Sequence, residues 1–366
     1  MRRPAFVPAV LLLTTACALP TRAQDARDFD LAGILGQRGW FDLARELFER
    51  IENDSSLPKA RRAEGSYGLA WLVTLQIDAE PKPEKKKELF DKATGAILGF
   101  INNPDFRDHP RRADALSVIG DLYQKQGRFY LAIGHGLDKE GSAAQQAFSN
   151  AQKLFNSLIE QLERDRVNPP DAGTLETDPK SVAFNDWNVK MMMAKYNFGI
   201  SLFNEAEAYR SDIRKHPQMK KLLEDMNDFF EKRFMWDYEE YLQAYSAFTY
   251  MGRGFQMLAE ASEAAKAEEY WKKCFNFIGK AISLMTDPKN RKSEAVRELA
   301  LEAAVYTVRA KIAYGDGLRG GKANRQYDEA GRIAADLLKL LPQTALRESF
   351  AVQLRLEEGR ALGKAR

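Results

Sequence analysis

The sequence predicts an all-α protein built as a solenoid of antiparallel helix hairpins. Three observations carry this. Apolar residues recur in steps of three and four along nearly the whole chain, the period of one helix face. No convincing strand-like alternation occurs, and no Asn-Gly or Asp-Gly turn joins two such segments. Two stretches far apart in the chain also share one pattern of small and aromatic residues.

The N-terminus is of another kind. Arg2 and Arg3 precede the apolar run Phe6 to Leu13, and small residues surround Pro20 to Ala23. A secretory signal ending at Ala23 is expected over residues 1–23; the segment is too short for a membrane span. Within it, "LLTTAC" places Cys17 after small residues and is similar to a bacterial lipoprotein box, although Thr14 stands where Leu, Val or Ile is usual. A lipid on Cys17 is the one route to a membrane that the sequence offers. The net charge of +3 belongs to Arg2, Arg3 and Arg22, so the chain from Gln24 onward is formally neutral. No global nucleic-acid footprint is present. Cleavage leaves Cys274 as the one cysteine, set among apolar neighbours in "YWKKCFNFIGKAI" and read as a buried structural thiol. The location expected is exported, periplasmic or at the cell envelope.

The first hairpin follows. Leu31, Ile34 and Leu35, then Leu43, Leu47, Phe48 and Ile51, mark two helix faces, with Gly39 interrupting the run. "LSVIGDLYQKQGRFYLAIGHG" matches this hairpin at one common offset. Ala32 aligns with Gly120, Leu35 with Tyr123, Gly39 with Gly127, Phe41 with Phe129 and Ala44 with Ala132. Each set reads as a small residue at a helix crossing, then a glycine ending the first helix. An aromatic opening the second helix and an alanine that lets the partner approach complete it. This pattern resembles the tetratricopeptide repeat (TPR). "YDEAGRIAADLLKLLP" is a third, partial match, with Tyr327, Ala330, Ala334, Leu337 and closing Pro342. "KKELFDKATGAILGFINNP" also looks like a second helix, with Ala93, Ile97 and Phe100 facing in. Between these matches the repeats are degenerate and longer than the usual period of about 34 residues.

The domain organisation expected is TPR-like repeats over 24–165, a polar proline-rich break over 166–185, further repeats over 186–342 and a capping helix over 343–366. The cap is expected to show a polar outer face, as solenoid ends do. "YGDGLRGGKANRQY" reads as a glycine-rich loop that lacks the ending and the preceding strand of a phosphate loop.

Chemistry-bearing patterns are sparse. His109, His135 and His216 form no metal-ligand spacing and read as structural surface residues. No GxSxG is present. Neither catalytic nor metal residues nor a cofactor are assigned, and the protein is read as a non-enzyme.

The resemblance implies a scaffold whose first helices line a concave groove for a protein or peptide. On the second match the outward polar residues Asp114, Ser117, Asp121 and Gln124 are the groove candidates. A second candidate is the aromatic stretch from Phe229 to Phe255, where Tyr238, Tyr241, Tyr245 and Phe248 fall on one helical stripe. It reads as packing between hairpins, or as a groove for a peptide or glycan. The alternative function is accordingly a glycan-binding or cell-wall-associated enzyme module. Oligomeric state and the partner's identity are not written in the residues.

Overall fold

The computed structural model describes residues 21–134, 142–171, 173–209, 216–283, 294–340 and 345–365. The signal-like segment before Thr21, Cys17, His135 and Pro342 lie outside them, as does the side chain of Leu337. Among the described residues every regular element is helical. In order these are α1 (Thr21–Gln37), α2 (Phe41–Asn53), α3 (Lys59–Ala79), α4 (Pro83–Asn102), α5 (Arg112–Ala132), α6 (Ala143–Arg164) and α7 (Pro179–Glu207). There follow α8 (Pro217–Phe229), a π-helical turn (Phe230–Phe234), α9 (Met235–Tyr238), α10 (Leu242–Glu260), α11 (Ala264–Ser283), α12 (Glu294–Asp316), α13 (Gly321–Leu340) and α14 (Ala345–Ala365). Contact density divides the chain into Met1–Val118 and Ile119–Arg366, with the boundary inside α5.

In the first unit α1, α2, α3 and α4 pack consecutively, and α1 also touches α3. Gly39 ends α1 at φ +81°, a conformation glycine adopts without a Cβ penalty. Its turn reverses the chain within three residues, and Phe41 opens α2 half-buried. Ala32, Ala44, Phe48 and Leu72 form the core of this hairpin, with Phe41, Leu47 and Trp71 against it. Leu31, Ile34 and Leu43, expected inside, are exposed. Sharing the helical period was not enough to bury them. Pro83 occupies the first turn of α4, where its missing N–H costs nothing. Phe90, Ala93, Ile97, Phe100 and Ile101 make the buried stripe of α4. His109 is buried rather than on the surface. Its Nδ1 accepts from the Arg111 backbone N–H at 3.1 Å, and its Nε2 lies 3.0 Å from the Ala60 carbonyl. It therefore pins the start of α3 to the segment entering α5.

In the second unit α6, α7 and α8 pack in series, as do α10 through α14. Alternate helices also touch: α7 with α10, α10 with α12 and α12 with α14. That is the arrangement of stacked hairpins, each first helix lying beside the next first helix. The expected turn at Gly127 does not form. Gly127 is helical and buried within α5, which runs on to Ala132, and the left-handed residue is Gly134 at φ +75°. Phe129 lies inside α5 and does not open a helix. Ala132 is exposed, at the end of α5, rather than enclosed at a helix crossing. Gly120 and Gly127 serve closeness instead. A Cβ on them would meet the Phe155 and Phe148 rings of α6 at 2.6 Å and 2.5 Å. Tyr123 is half-buried beside them.

Residues 166–178 join α6 to α7, and α7 begins at Pro179 under an Asp178 cap whose carboxylate accepts from the Lys180 N–H at 2.8 Å. The glycine-rich loop is shorter than expected, since α13 already starts at Gly321. Ala330, Ala334 and Tyr327 of α13 are buried against Ala304, Val308 and Ile312 of α12. Tyr327 fits over Gly315, and its hydroxyl donates to Asp316 at 2.8 Å. Among the described side chains the last helix exposes Arg355, Arg360 and Lys364 and apolar residues as well. Val352, Leu356 and Leu362 of α14 are exposed, while Ala361 faces the core.

Candidate functional site: the inner helix wall and a flanking aromatic cleft

In the second unit α5, α7, α10 and α12 present one shared wall. Arg128 of α5 and Glu302 of α12 both act electrostatically on Tyr196 of α7 and on Tyr250 of α10. The charges of α5 and α12 thus reach the tyrosines of α7 and α10.

A ladder of amides underlies the wall. Gln124, proposed as groove-lining, is only 7 % exposed. Its Nε2 donates to the Asn197 carbonyl and to Ser201 Oγ, each at 3.0 Å, and its Oε1 accepts from Asn204 Nδ2 at 3.3 Å. It joins α5 to α7 and is spent on that. Gln152 of α6 extends the ladder, donating to Glu205 at 2.6 Å. Asp121 sits at the ladder's open end, accepting from Asn197 Nδ2 at 3.0 Å. Burial pushes its carboxyl up to about 6, against the lowering pull of Lys125 and Arg128. Although water touches this carboxylate, the surrounding wall limits its hydration. Asp114 and Ser117 belong to the first unit, where Asp114 pairs with Arg111 at 3.3 Å. Of the four expected groove residues, only Asp121 and Gln124 are thus brought together here.

Arginines stack in the same wall. The Arg253 guanidinium lies 4.4 Å from the Phe203 ring centroid and 4.3 Å from that of Tyr306, and bonds Glu207 at 2.7 Å. This ties α7, α10 and α12 together. Arg309 similarly bonds Glu357 of α14 at 2.8 Å. Arg128 and Glu302, by contrast, make no hydrogen bond or ion pair among the described residues. Burial raises the Glu302 carboxyl, and Arg253 only partly offsets this. Neither Arg128 nor Glu302 stood out in the sequence, because each lies in an ordinary mixed-charge helix. The signal was the helical register of Asp121, Lys125 and Arg128 on one helix.

The aromatic stretch divides differently. The expected continuous stripe is broken, since α9 ends at Tyr238 and α10 begins at Leu242. Phe230, Phe234, Tyr238, Phe248 and Phe255 are buried as core. Tyr241 is partly exposed, and its hydroxyl accepts from Asn188 Nδ2 at 3.0 Å. Tyr245 is half-buried with its ring edge-on to Phe248. Trp236 is 88 % exposed. A cleft of about 590 Å³ lies beside this region, lined by Phe184, Trp187, Met191 and Tyr238 together with Val167 and Pro169. Glu163, Arg166, Asn188, Lys195 and Asp237 supply its polar lining. Trp187 is held by its indole N–H, which donates to the Leu162 carbonyl at 2.8 Å. Lys195 bonds Asp237 at 2.7 Å and lies 5.6 Å from the Tyr238 ring centroid. Burial raises the Tyr238 hydroxyl.

Cys274 is fully buried, and burial raises its thiol, which keeps it protonated and unreactive. Among the described residues no three His, Cys, Asp or Glu side chains gather as metal ligands. No described helix is long and apolar enough to cross a membrane.

No protein-family model matches the chain, and no curated protein matches it. Among solved structures it is similar to a Podospora anserina chain assigned as a kinesin light chain with nearly identical TPR-like repeats. The identity is 14 % and the TM-score 0.35, over 72 % of this chain and 98 % of that one. A single-substitution variant of the same protein gives 13 % and 0.34, over the same shares. A likeness this distant carries no argument about shape or role, so the fold rests on the helices themselves. By their consecutive packing, alternate-helix contacts and glycine-to-ring crossings, both units are all-α and built of antiparallel helix hairpins in the TPR-like manner.

Proposed function

We propose that this protein is a non-catalytic scaffold that binds a protein partner along the inner wall of α5, α7, α10 and α12. The observation that carries the reading is the unmatched pair Arg128 and Glu302. On the same helices Arg253 and Arg309 are already paired. A rigid wall holding unspent charges of both signs suits a segment of complementary charge, bound with little reorganisation. The apolar segment Phe6 to Leu13 behind Arg2 and Arg3 supports export to the periplasm or envelope. In that reading cleavage falls near Ala23, at the first turns of α1, and a lipid on Cys17 is the tethered alternative.

The test is photo-cross-linking from the wall in the native envelope fraction, with intact-mass analysis of the mature chain. A stoichiometric partner should be captured by the wild-type protein and lost with Arg128→Glu, at an unchanged melting temperature. Equal capture by the charge-reversed variant would remove the wall from the reading. A mature N-terminus at Cys17 carrying lipid would replace the soluble form with the tethered one.

A further inference from the structure

The outward side of α14 carries a pattern that packing alone does not explain. At the α-helical period Val352, Leu356 and Gly363 fall within about 40° of one line along the helix, and all three are exposed. Val352 is 54 % exposed and Leu356 68 %, and Leu362, 46 % exposed, lies beside that line. The opposite side of the helix is the packed one. There Ala361 joins the core of α12 and α13, and Glu357 bonds Arg309 of α12 at 2.8 Å. Three large apolar side chains thus stand on one ridge in water, where burial would be favourable.

Charge flanks the ridge on both sides, and it has one sign. Arg355 lies on the Leu362 side, and Arg360 and Lys364 lie on the other. All three are exposed, and no other described side chain of α14 is both charged and exposed. Glu358 is half-buried and farther from the ridge, and Glu357 is buried. Arg360 touches Glu357 only at 3.7 Å, and Lys364 bonds Asp316 of α12. Arg355 makes no hydrogen bond or ion pair among the described residues.

An apolar ridge between two rows of cations matches a surface that is apolar within and anionic at its edge. We propose that α14 lies on the surface of an anionic lipid bilayer, with Val352, Leu356 and Leu362 entering the acyl chains and Arg355 and Arg360 at the level of the phosphates. Long arginine stems let the guanidinium stay among the headgroups while the apolar side chains go deeper. The helix lies in the plane of the surface, since no described helix is long and apolar enough to cross a membrane. A second copy of α14 is the poorer match, because it would set like charges against each other. A rigid acidic protein would need a groove shaped to the ridge, whereas a bilayer yields to it. Three apolar side chains give a weak, reversible attachment, so binding depends on charge and on salt. The inference is independent of the inner wall and of a lipid on Cys17.

The experiment is flotation of the full chain with vesicles of phosphatidylglycerol and phosphatidylcholine in equal parts, beside vesicles of phosphatidylcholine alone. Binding to the mixed vesicles is expected, weaker binding to the neutral ones, and a loss of binding as salt is added. Arg355→Gln should weaken partitioning into the mixed vesicles about fivefold. Leu356→Glu, which sets a carboxylate on the ridge, should abolish it. Both side chains are exposed, so the melting temperature should not change. An N-terminal lipid or a retained signal would also bind vesicles, so the readout is the difference between wild type and variants that share one N-terminus. The proposal is overturned if wild-type protein does not float with the mixed vesicles, or if Leu356→Glu floats as well as wild type. Equal flotation with both kinds of vesicle, indifferent to Arg355→Gln, would overturn it as well. Wild-type protein that ignores vesicles but binds a soluble acidic protein through Leu356 would overturn it in favour of a protein partner.

Discussion

Ala44 and Ala132 were equivalent in the repeat alignment, and the structure separates them. Ala44 has no exposed surface and is enclosed with Ala32, Phe48 and Leu72, while Ala132 is exposed at the end of α5. Ala44→Trp should therefore destabilise the protein by about 1–3 kcal/mol or more through overpacking. Ala132→Trp should cost clearly less; chemical denaturation of the two variants measures both. Asp121 gives a second test at this scale. Burial raises its carboxyl to about 6 in the folded state, above the unfolded value near 3.8. The folded protein then binds the proton more tightly than the unfolded chain, so this residue's contribution rises as pH falls through about 6 and is lost above it. Asp121→Asn should be at least as stable as wild type at a pH well above that value, and its melting temperature should gain less than wild type's on acidification below it. A wild-type gain equal to the variant's would show that the wall does not hold this carboxylate out of water.

At the scale of elements one device recurs. A glycine on one helix of a packed pair receives a large side chain from the other. Gly68 of α3 receives Phe48 of α2, and Gly120 and Gly127 of α5 receive Phe155 and Phe148 of α6. Gly199 of α7 receives Phe230, Gly252 of α10 receives Ile278 of α11, and Gly315 of α12 receives Tyr327 of α13. At each, a Cβ would fall inside the packed side chain, so the helix axes could not approach as closely. Gly199→Ala should therefore destabilise by about 1–3 kcal/mol despite alanine's better helix propensity. Adding Phe230→Leu should recover part of the loss, as a double-mutant cycle in urea would show. Independent, additive losses would mean that the two do not share a site. The same device explains why Gly127 was misread. Glycine ends helices and also lets helices approach, and local sequence does not distinguish the two uses.

At the scale of the molecule, Cys274 reports on opening. It lies in α11 facing α10, fully buried, with Gly252 nearby on the facing helix. In native buffer it should resist a thiol reagent such as DTNB, and it should react at a rate that follows unfolding of the second unit. Rapid labelling without any loss of helical signal would mean that α10 and α11 part locally. The first and last helices share another property. Leu31, Ile34 and Leu43 of α1 and α2, and Val352, Leu356 and Leu362 of α14, are exposed apolar side chains. The helical period alone made the first three look like core.

The sequence by itself determined that the chain is helical, that helices pair as hairpins, and where the first hairpin turns. These follow from local physics: a three-and-four apolar period, a left-handed glycine at Gly39, and prolines at the starts of α4, α7 and α8. It also marked Ala44, Gly120 and Ala330 as positions of close packing. Only the tertiary structure decided which polar residues remain free for a partner. Gln124 is consumed by Asn197 and Ser201, both distant in the sequence. Arg128 and Glu302 are brought to one wall from helices far apart in sequence. Helix formation is local, so its signals are written in neighbouring residues. Whether a polar group is satisfied depends on partners from distant helices, which no local pattern records.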